Sequence, residues 1–367
     1  MKSLNYFEKT KQTKTTNQVT HLKAEGIVTN DNKTKTKQNI NLFIQGEKTF
    51  VATWSAFING RYQRETVLEI AKNFNSFYPE FDVLAAVNGD YFYLNSKKDL
   101  TVNANVIFGN RVLKHYNHDK YHAIEINQFG QKEKLFKSLK EVPDLTLTIY
   151  DKQKKVCHKA LLDRRTKIIK RSDFKKHLNN ESFYLQPMML SDDKDCFFFE
   201  GMIKKANFKT AQYALVSQDS KIVELLNNCS KVKLQFELKE IQPQNNLIGI
   251  DTKLIRDNKI LKFSQMSGQD QDHNQNRHPR TSLGYNKEGK LILCTVDGRT
   301  DEFSGVDLRE LAKIMNYYQI VEAYNLDGGA STQAVYKDGD KLKLVNEPSA
   351  RPLRKVANAI LFFEMKT

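Results

Sequence analysis

Three strand-like runs of the sequence each end in a short polar cluster that contains glycine. The run FDVLAAV leads into NGDYF, LILCTV leads into DGR, and VEAYNL leads into DGGAST. Short apolar runs that are bounded by turn residues are typical of buried strands. Because polar groups at strand ends can converge on one cleft, the pattern predicts a sheet-based fold whose site lies at strand ends and loops.

Helical periodicity accompanies these runs. Apolar residues recur at helical spacing in TVLEIAKNF and again in DLRELAKIMNYY, where Ser304 and Asp307 resemble an N-terminal capping box. The stretch LGYNKEGKLILCTV predicts two strands joined by a turn at Lys287 to Gly289. Together these elements predict an α+β fold with a large mixed β-sheet and flanking helices.

Length and composition limit the class of protein. The 367 residues, 40% of them hydrophobic, are enough for a sizeable core. The formal net charge of +15 indicates an anionic partner, or else a composition that is simply rich in lysine and asparagine. Four scattered cysteines without CxxC spacing indicate neither a zinc site nor a disulfide framework.

The expected organisation is one domain behind a tail. We predict a flexible polar tail over residues 1–18 and a domain over 19–367, with a basic segment at about 144–209 that is hard to place. The stretch 151–176 is strongly basic, which fits a solvated face, a contact with a polyanion or an attachment surface. Without an apolar leader or an 18-residue apolar run, we expect a soluble protein, cytoplasmic or released from a phage particle or lysate.

The polar clusters carry groups that suit a phosphate ligand. Gly328 and Gly329 can bring backbone amides close to an anion, and Ser331 and Thr332 add hydroxyl donors. Planar guanidinium groups that fit phosphate oxygens come from Arg280, Arg299 and Arg354. The candidate acids are Asp90, Asp297, Asp327 and Glu347. Carboxylates beside a bound phosphate can divide into an acid and a base or nucleophile.

Five motifs in fixed order resemble the phosphodiester glycosidase family: NGDYF, HPRTSLG, VDGR, NLDGGAST and EPSARPLRKVANAI. The likeness spans roughly residues 57–363 and is weak over 144–209. The resemblance implies hydrolysis of a sugar-1-phosphodiester to a free sugar and a phosphomonoester. It also implies that the family's motif residues correspond to Asn88, Gly89, Arg280, Thr281, Asp297, Gly298, Arg299, Asn325, Asp327, Gly328, Gly329, Ser331, Arg354, Val356, Asn358 and Ala359.

Two departures from the family pattern concern the substrate. Asp90 stands where the family usually has a second glycine, and Ala330 stands where the family often has a third. Asp90 therefore suggests either a ligand that sits differently or a carboxylate that holds a cation or a sugar hydroxyl. Gly249 is retained from the family's glycine-rich segment, with Asp251 close to it in sequence.

From these residues we predict Asp327 and Glu347 as the acid/base or nucleophile pair, with Asp297 orienting Arg299. Substrate contacts are expected from Asn88, Gly89, Asp90, Arg280, Thr281, Arg299, Asn325, Gly328, Gly329, Ser331, Thr332 and Arg354. The expected partner is an anionic phosphorylated carbohydrate, such as a wall glycopolymer, or a nucleotide-like ligand. The sequence requires no cofactor, although a divalent cation is compatible with it. The alternatives are a module that sequesters such a ligand and a structural phage component. No nucleic-acid motif is present.

Overall fold

The computed structural model describes residues 9–15, 18–29, 34–59, 61–94, 101–114, 122–136, 144–177, 182–185, 188–189, 197–203, 211–266 and 271–366. The chain divides into two compact units. The first comprises Met1–Gly109, Tyr116–Leu139 and Pro243–Thr367, and the second comprises Asn110–His115 and Lys140–Gln242. The segment 144–209, which the sequence leaves poorly placed, falls within the second unit.

Strands make up most of the regular structure. Up to residue 136 they are β1 (Lys9–Thr15), β2 (Val19–Thr29), β3 (Lys35–Gln45), β4 (Phe50–Trp54), β5 (Ala56–Ile58), β6 (Arg61–Gln63), β7 (Phe81–Asn88), β8 (Asn105–Ile107), β9 (Arg111–Lys114), β10 (His122–Ile126) and β11 (Lys132–Phe136). The next are β12 (Asp144–Tyr150), β13 (Val156–Leu161), β14 (Thr166–Lys170), β15 (Ser182–Leu185), β16 (Met188–Met189), β17 (Phe197–Gly201), β18 (Tyr213–Ser217) and β19 (Lys231–Glu237). The last are β20 (Asn246–Ile250), β21 (Lys253–Arg256), β22 (Lys259–Ile260), β23 (Arg280–Asn286), β24 (Leu291–Val296), β25 (Ile320–Asn325), β26 (Ala334–Asp338), β27 (Lys341–Leu344) and β28 (Ala359–Met365).

The helices are few and short. They are α1 (Val67–Phe77), α2 (Ser220–Asn228), α3 (Gln271–Gln275) and α4 (Leu308–Tyr317), with 3₁₀ turns at Arg171–His177, Phe263–Gln265 and Gly329–Ser331. Thr66 caps α1 by accepting a hydrogen bond from the Glu69 amide. The predicted cap of α4 lies three residues too early, because Asp307, not Ser304, caps the helix and forms a reciprocal capping box with Glu310.

The first unit contains the largest sheet, ordered β1-β2-β3-β24-β23-β25-β21-β22. Each neighbouring pair in it is antiparallel, which corrects the prediction of a mixed sheet. Helix α4 connects β24 to β25. A helical connection between two strands is typical of neighbouring parallel strands. Strand β23 lies between them, however, and pairs antiparallel with both.

Alternation along β24 shows how this sheet packs on both faces. Leu291 and Leu293 belong to one apolar core, while Ile292, Cys294 and Val296 belong to another. The first core also contains residues of a second sheet, ordered β27-β26-β7-β28-β4. The second core contains the apolar face of α4. Because successive side chains of a strand point to opposite faces, one run of apolar residues serves both cores.

The second unit has its own sheets and core. Strands β13-β12-β19-β17-β16 form one sheet and β14-β18-β15 another. Leu147, Leu215 and Leu234 pack with the buried face of α2. Most side chains of the basic stretch 151–176 are exposed, while Ile169 and Phe174 are buried.

Two further observations bear on the predicted organisation. Within the predicted tail, Lys9–Thr15 forms strand β1 and pairs with β2. The described residues contain no helix that is both long enough and apolar enough to cross a membrane.

Candidate functional site

The ends of β7 and β25 meet although these strands belong to different sheets of the first unit. The Asn88 side-chain amide donates to the Asp327 carbonyl oxygen at 2.6 Å, and the Asp327 backbone amide donates to the Gly89 carbonyl oxygen at 3.1 Å. The Thr281 hydroxyl on β23 donates to Asn88 Oδ1 at 2.7 Å. Asn88 is fully buried and joins the ends of these strands.

The carboxyl group of Asp327 has a pKa above the usual value for an aspartate. It is 9% exposed at the end of β25. Burial raises the pKa of Asp327 to about 7, an effect that the Asp251 charge reinforces. The Ser331 hydroxyl, the Gly328 amide and the Arg354 charge oppose this shift in part. A carboxyl group whose pKa lies near neutrality suits general acid–base chemistry.

Arg299 lies over the turn that follows Asp327. Its backbone is left-handed, with φ 58°, and its Nε and Nη2 atoms lie 3.2 and 2.7 Å from His278 Nδ1. A Cβ atom at Gly329 would lie 3.2 Å from Arg299 Nη1, so glycine leaves room for the guanidinium. Burial and the charge of Arg354 both lower the pKa of Arg299. The arginine side chain is exposed to solvent.

His278 acts as the acceptor for Arg299. Burial, followed by the charges of Arg280 and Arg299, lowers the pKa of His278 to about 4. The ring is therefore neutral near pH 7, and acceptance at Nδ1 places its proton on Nε2. A neutral ring beside two guanidinium groups orients Arg299 without adding positive charge.

Arg280 is occupied by the protein itself. It is fully buried, and its guanidinium donates to the carbonyl oxygens of Val306, His273 and Asn276 at 3.1, 2.7 and 2.8 Å. Its Nη1 atom also lies 3.0 Å from His273 Nε2. Sequence reasoning assigned this arginine to substrate. In the structure its guanidinium joins α3 and the residue after it to Val306, in the segment that precedes α4.

Asp297 is likewise turned inward, which changes its expected role. Its carboxylate accepts from Asn39 Nδ2 at 2.7 Å, Asn346 Nδ2 at 2.8 Å and the Glu347 amide at 2.8 Å. Burial raises the pKa of Asp297 to about 6, and these three donors oppose the shift. It does not bond to Arg299, so the predicted orienting contact is absent. Asp297 fixes the segment that carries the exposed Glu347 instead.

Asp90 also differs from its predicted role. Its carboxylate is 1% exposed and accepts from the Tyr91 amide at 2.7 Å and from the Asn103 amide and side chain at 3.2 and 3.1 Å. A Cβ atom at Gly249 would lie 2.0 Å from Asp90 Oδ2. The extra carboxylate therefore fills the space beside Gly249 and satisfies loop amides.

The two glycines act through their lack of a side chain. The Gly329 amide donates to the Pro279 carbonyl oxygen at 2.8 Å, so it does not point at a ligand as predicted. A Cβ atom at Gly328 would lie 2.8 Å from that same oxygen. Gly329 adopts φ 61°, which favours glycine. Ser331, the last residue of the 3₁₀ turn, and Thr332, which follows it, are both buried.

Asp251 and Tyr91 were not selected from the sequence. The Asn325 side-chain amide donates to Asp251 Oδ2 at 3.1 Å and to the Tyr91 hydroxyl at 3.2 Å. Both Asn325 and Asp251 are fully buried. Asp251 follows the apolar strand β20, which is the same strand-end signal that identified the other clusters. The charge of Asp251 also helps to raise the pKa of Asp327.

No metal site is evident in the described part of the chain. No group of three or more His, Cys, Asp or Glu residues there is arranged to hold a metal ion. Of the histidines in HYNHDKYH, His115 and His118 lie outside the described residues.

The family comparison matches the stretch that contains most of this site. Residues 198–363 match the model of the phosphodiester glycosidase family. This part of the chain resembles the phosphodiester glycosidases. The resemblance predicted from the motifs is thereby confirmed, and the phosphodiester glycosidase-like stretch includes Arg280, Arg299, Asp327, Glu347 and Arg354.

Curated relatives match a shorter stretch. Over 56 residues the chain is 43% identical to the N-acetylglucosamine-1-phosphodiester alpha-N-acetylglucosaminidase of Mus musculus, covering 15% of this chain and 11% of that protein. Over 57 residues it is 35% identical to the SPbeta prophage-derived uncharacterized protein YomE of Bacillus subtilis, covering 16% and 9%. The chain thus spans about a tenth of the length of the curated relatives it matches.

Solved structures share the fold over nearly the whole chain. A hypothetical protein from Synechocystis aligns with a TM-score of 0.55 at 16% identity, covering 97% of this chain and 64% of that one. The zebrafish N-acetylglucosamine-1-phosphodiester alpha-N-acetylglucosaminidase catalytic domain, auto-inhibited by its pro-peptide, aligns with a TM-score of 0.50 at 16% identity, covering 98% and 88%. At this identity the likeness concerns the fold alone.

Proposed function

We propose that the chain is a hydrolase of the phosphodiester glycosidase type, which cleaves a sugar-1-phosphodiester to a free sugar and a phosphomonoester. The observation that carries the proposal is the Asp327 carboxyl group. It lies at a strand end, has a pKa of about 7 and is influenced by the charge of Arg354, which also acts on Arg299. An acid near neutrality on which a guanidinium charge acts fits a phosphate leaving group.

The phosphate would lie between Arg299 and Arg354. Both are accessible, whereas Arg280 is engaged by carbonyl oxygens. Guanidinium groups match pairs of phosphate oxygens, and they stabilise negative charge that builds up as the leaving group departs. The buried residues Asn88, Thr281 and Asn325 keep the strand ends in place through hydrogen bonds within the protein.

Asp327 is assigned as the general acid. The bond between the anomeric carbon and the phosphate oxygen breaks, and the Asp327 proton passes to that oxygen, giving the phosphomonoester. Water supplies a hydroxyl group to the anomeric carbon and releases a proton. Glu347 is the proposed acceptor of that proton, because it is exposed and Asp297 fixes its backbone amide.

The test measures release of free sugar by mass spectrometry. Purified protein is incubated with UDP-N-acetylglucosamine and with a panel of sugar-1-phosphodiesters, and Asp327→Asn is assayed beside it. Asp340→Asn is the matched control, because Asp340 lies exposed in the turn between β26 and β27. We expect release by the wild type and the control, and release about 10³-fold slower by Asp327→Asn. A ligand that is recovered intact but tightly bound would replace the hydrolase with a sequestering module.

A further inference from the structure

The net charge of the chain is concentrated in one short stretch of the second unit. Residues 151–176 contain eleven lysines and arginines and three aspartates, which gives a net charge of +8 out of the chain's +15. More than half of the excess positive charge thus lies in 26 of the 367 residues. A composition that is uniformly rich in lysine would spread the charge along the chain, so its concentration here favours an anionic partner.

Two groups of cations flank strand β13, which is an edge strand among the described residues. The turn before the strand carries three of them and the loop after it carries two: Lys152, Lys154, Lys155, Arg164 and Arg165. All five residues are exposed. At about 3.3 Å per residue, the six residues of β13 place the two groups roughly 20 Å apart. We call residues 151–165 the cationic ridge.

Hydrogen bonds to backbone amides fix both ends of the cationic ridge. In the turn, Asp151 Oδ1 accepts from the Lys155 amide at 2.9 Å. In the loop, Asp163 Oδ1 accepts from the amides of Arg165 and Thr166 at 2.7 and 2.9 Å. The two aspartates therefore shape the backbone, and neither forms a salt bridge with the described part of the chain. The positions of the flanking cations along the ridge are thus defined by the fold.

The charges of the five flanking cations are available to a ligand. None of their side chains forms a hydrogen bond or a salt bridge with the residues that the structure describes. Lys159, in the middle of β13, differs from them, since its Nζ lies 2.9 Å from Glu237 Oε1. A polyanion that binds exposed cations releases its own condensed counterions, which favours binding at low salt.

We propose that the cationic ridge binds a polymer of sugars joined by phosphodiesters. Two groups of cations roughly 20 Å apart fit successive phosphates of an extended chain better than they fit one small anion. A nucleic acid fits less well, because the ridge contains no Phe, Tyr or Trp on which bases could stack. The choice of a sugar polymer rests on the proposed function, whereas the site for a polyanion does not.

The backbone of β13 supports the same choice. Among the described residues, β13 pairs with β12 alone, so its other edge presents backbone donors and acceptors. Sugar hydroxyl groups can both donate and accept hydrogen bonds, and an extended edge can bind several of them in succession. The ridge thus combines contacts for phosphates at its two ends with contacts for hydroxyl groups between them.

The experiment measures Kd by fluorescence anisotropy for an oligomer of N-acetylglucosamine units joined by phosphodiesters. Two comparison ligands are an N-acetylglucosamine oligomer of the same length without phosphates, and a single-stranded DNA with the same number of phosphates. Every protein carries Asp327→Asn, so that little oligomer is cleaved during the titration. Each Kd is measured at several salt concentrations, because the slope of log Kd against log salt reports the number of phosphates contacted.

Two sets of substitutions remove the charge at each end of β13. The first set is Lys152→Gln, Lys154→Gln and Lys155→Gln, and the second is Arg164→Gln and Arg165→Gln. We expect each set to raise the Kd for the phosphorylated oligomer about tenfold at about 0.1 M salt and to reduce the salt slope. Neither set should change the Kd for the oligomer without phosphates.

The matched control removes three exposed lysines of the first unit: Lys48→Gln, Lys287→Gln and Lys341→Gln. It changes the net charge as much as the first set does, so it separates the ridge from a general effect of charge. We expect its Kd and salt slope to equal those of the Asp327→Asn protein. Thermal unfolding of each variant confirms that it is folded.

Several outcomes would overturn the proposal. If the Asp327→Asn protein does not bind the phosphorylated oligomer, or if both ridge sets match the control, the ridge is only a solvated surface. Equal or tighter binding of the DNA, with the same loss in the ridge sets, would replace the sugar polymer with a nucleic acid. Because Kd is measured without turnover, the ridge can bind the oligomer even if the wild type hydrolyses no sugar-1-phosphodiester, and in that case the hydrolase proposal alone fails.

Discussion

The interior and the rim of the candidate site use the same residue types in opposite ways. In the interior, Arg280 and Asp297 direct their charged groups to carbonyl and amide groups of the protein. At the rim, Arg299 bonds to a neutral histidine, and Asp327 has a pKa of about 7. An arginine and an aspartate after a strand therefore do not by themselves indicate contact with substrate. The partners of each charge decide its role.

Among substitutions in the candidate site, Asp327→Asn should cause the largest loss of activity. The asparagine cannot donate a proton to the leaving group, so we expect kcat/KM to fall about 10³-fold, or about 4 kcal/mol. The free energy of unfolding should not fall, because the substitution removes a buried group that resists ionisation. Kinetics and chemical denaturation on the same preparation test both parts. Residual activity within tenfold of the wild type would move the acid to another residue.

Among substitutions of the buried residues, Arg280→Met should cause the largest loss of stability. It leaves the carbonyl oxygens of Val306, His273 and Asn276 without their donor. We expect the free energy of unfolding to fall by about 3–4 kcal/mol, as when one partner of a buried charged contact is removed. Urea denaturation measures this loss, with Arg256→Met as the exposed control. A variant as stable as the wild type would return Arg280 to the list of substrate contacts.

The pH profile separates an acid role of Asp327 from a base role. Its raised pKa means that the protonated form predominates below about pH 7 and is lost as the pH rises through 7. As a general acid it should give a kcat/KM that falls about tenfold per unit above pH 7, or about 100-fold by pH 9. A rate that instead increases through pH 7 would identify Asp327 as a base or nucleophile. The Asp327→Asn profile should lack this limb.

Asp297→Asn tests the interior with a smaller change. The new amide nitrogen would face donors from Asn39, Asn346 and the Glu347 backbone, and one of them would lose its acceptor. We expect a loss of about 2 kcal/mol in the free energy of unfolding. Activity per folded molecule should fall less than for Asp327→Asn, because Asp297 acts only through the position of Glu347. Equal losses of activity in the two variants would place Asp297 in direct contact with the reacting groups.

Sequence reasoning identified the strand ends and the residues that meet there, because strand ends follow from local patterns. Asp327 and Arg299 were selected from such patterns, and Asp251 carried the same signal without being counted. The inward orientation of Arg280 was not predictable, since its partners lie on α3 and before α4. Likewise, Asp90 appeared as a charge in the path of a phosphate until Asn103 and the Tyr91 amide were seen to surround it.

In the fold, likewise, individual elements could be predicted from local sequence, whereas the pairing of distant strands could not. The helix–strand pattern around α4 was read correctly, yet the sheet was predicted as mixed. The sequence does not show that β23 inserts between β24 and β25, because strand pairing depends on contacts between distant parts of the chain. The pairing of β3 could not be predicted for the same reason. Its partner β24 lies more than 240 residues later in the chain, and Phe43 lies opposite Leu293.

Arg299→Met should have the smallest effect on stability and activity. It makes the same substitution as Arg280→Met, but at an exposed arginine. Arg299 is exposed and its guanidinium bonds only to His278 among the described residues, so the free energy of unfolding should change by no more than about 0.5 kcal/mol. We expect kcat/KM to fall about tenfold, because Arg354 remains to hold the phosphate. Denaturation and kinetics on both arginine variants measure the contrast. A large loss of stability in Arg299→Met with unchanged turnover would assign this arginine to the fold and leave Arg354 alone at the phosphate.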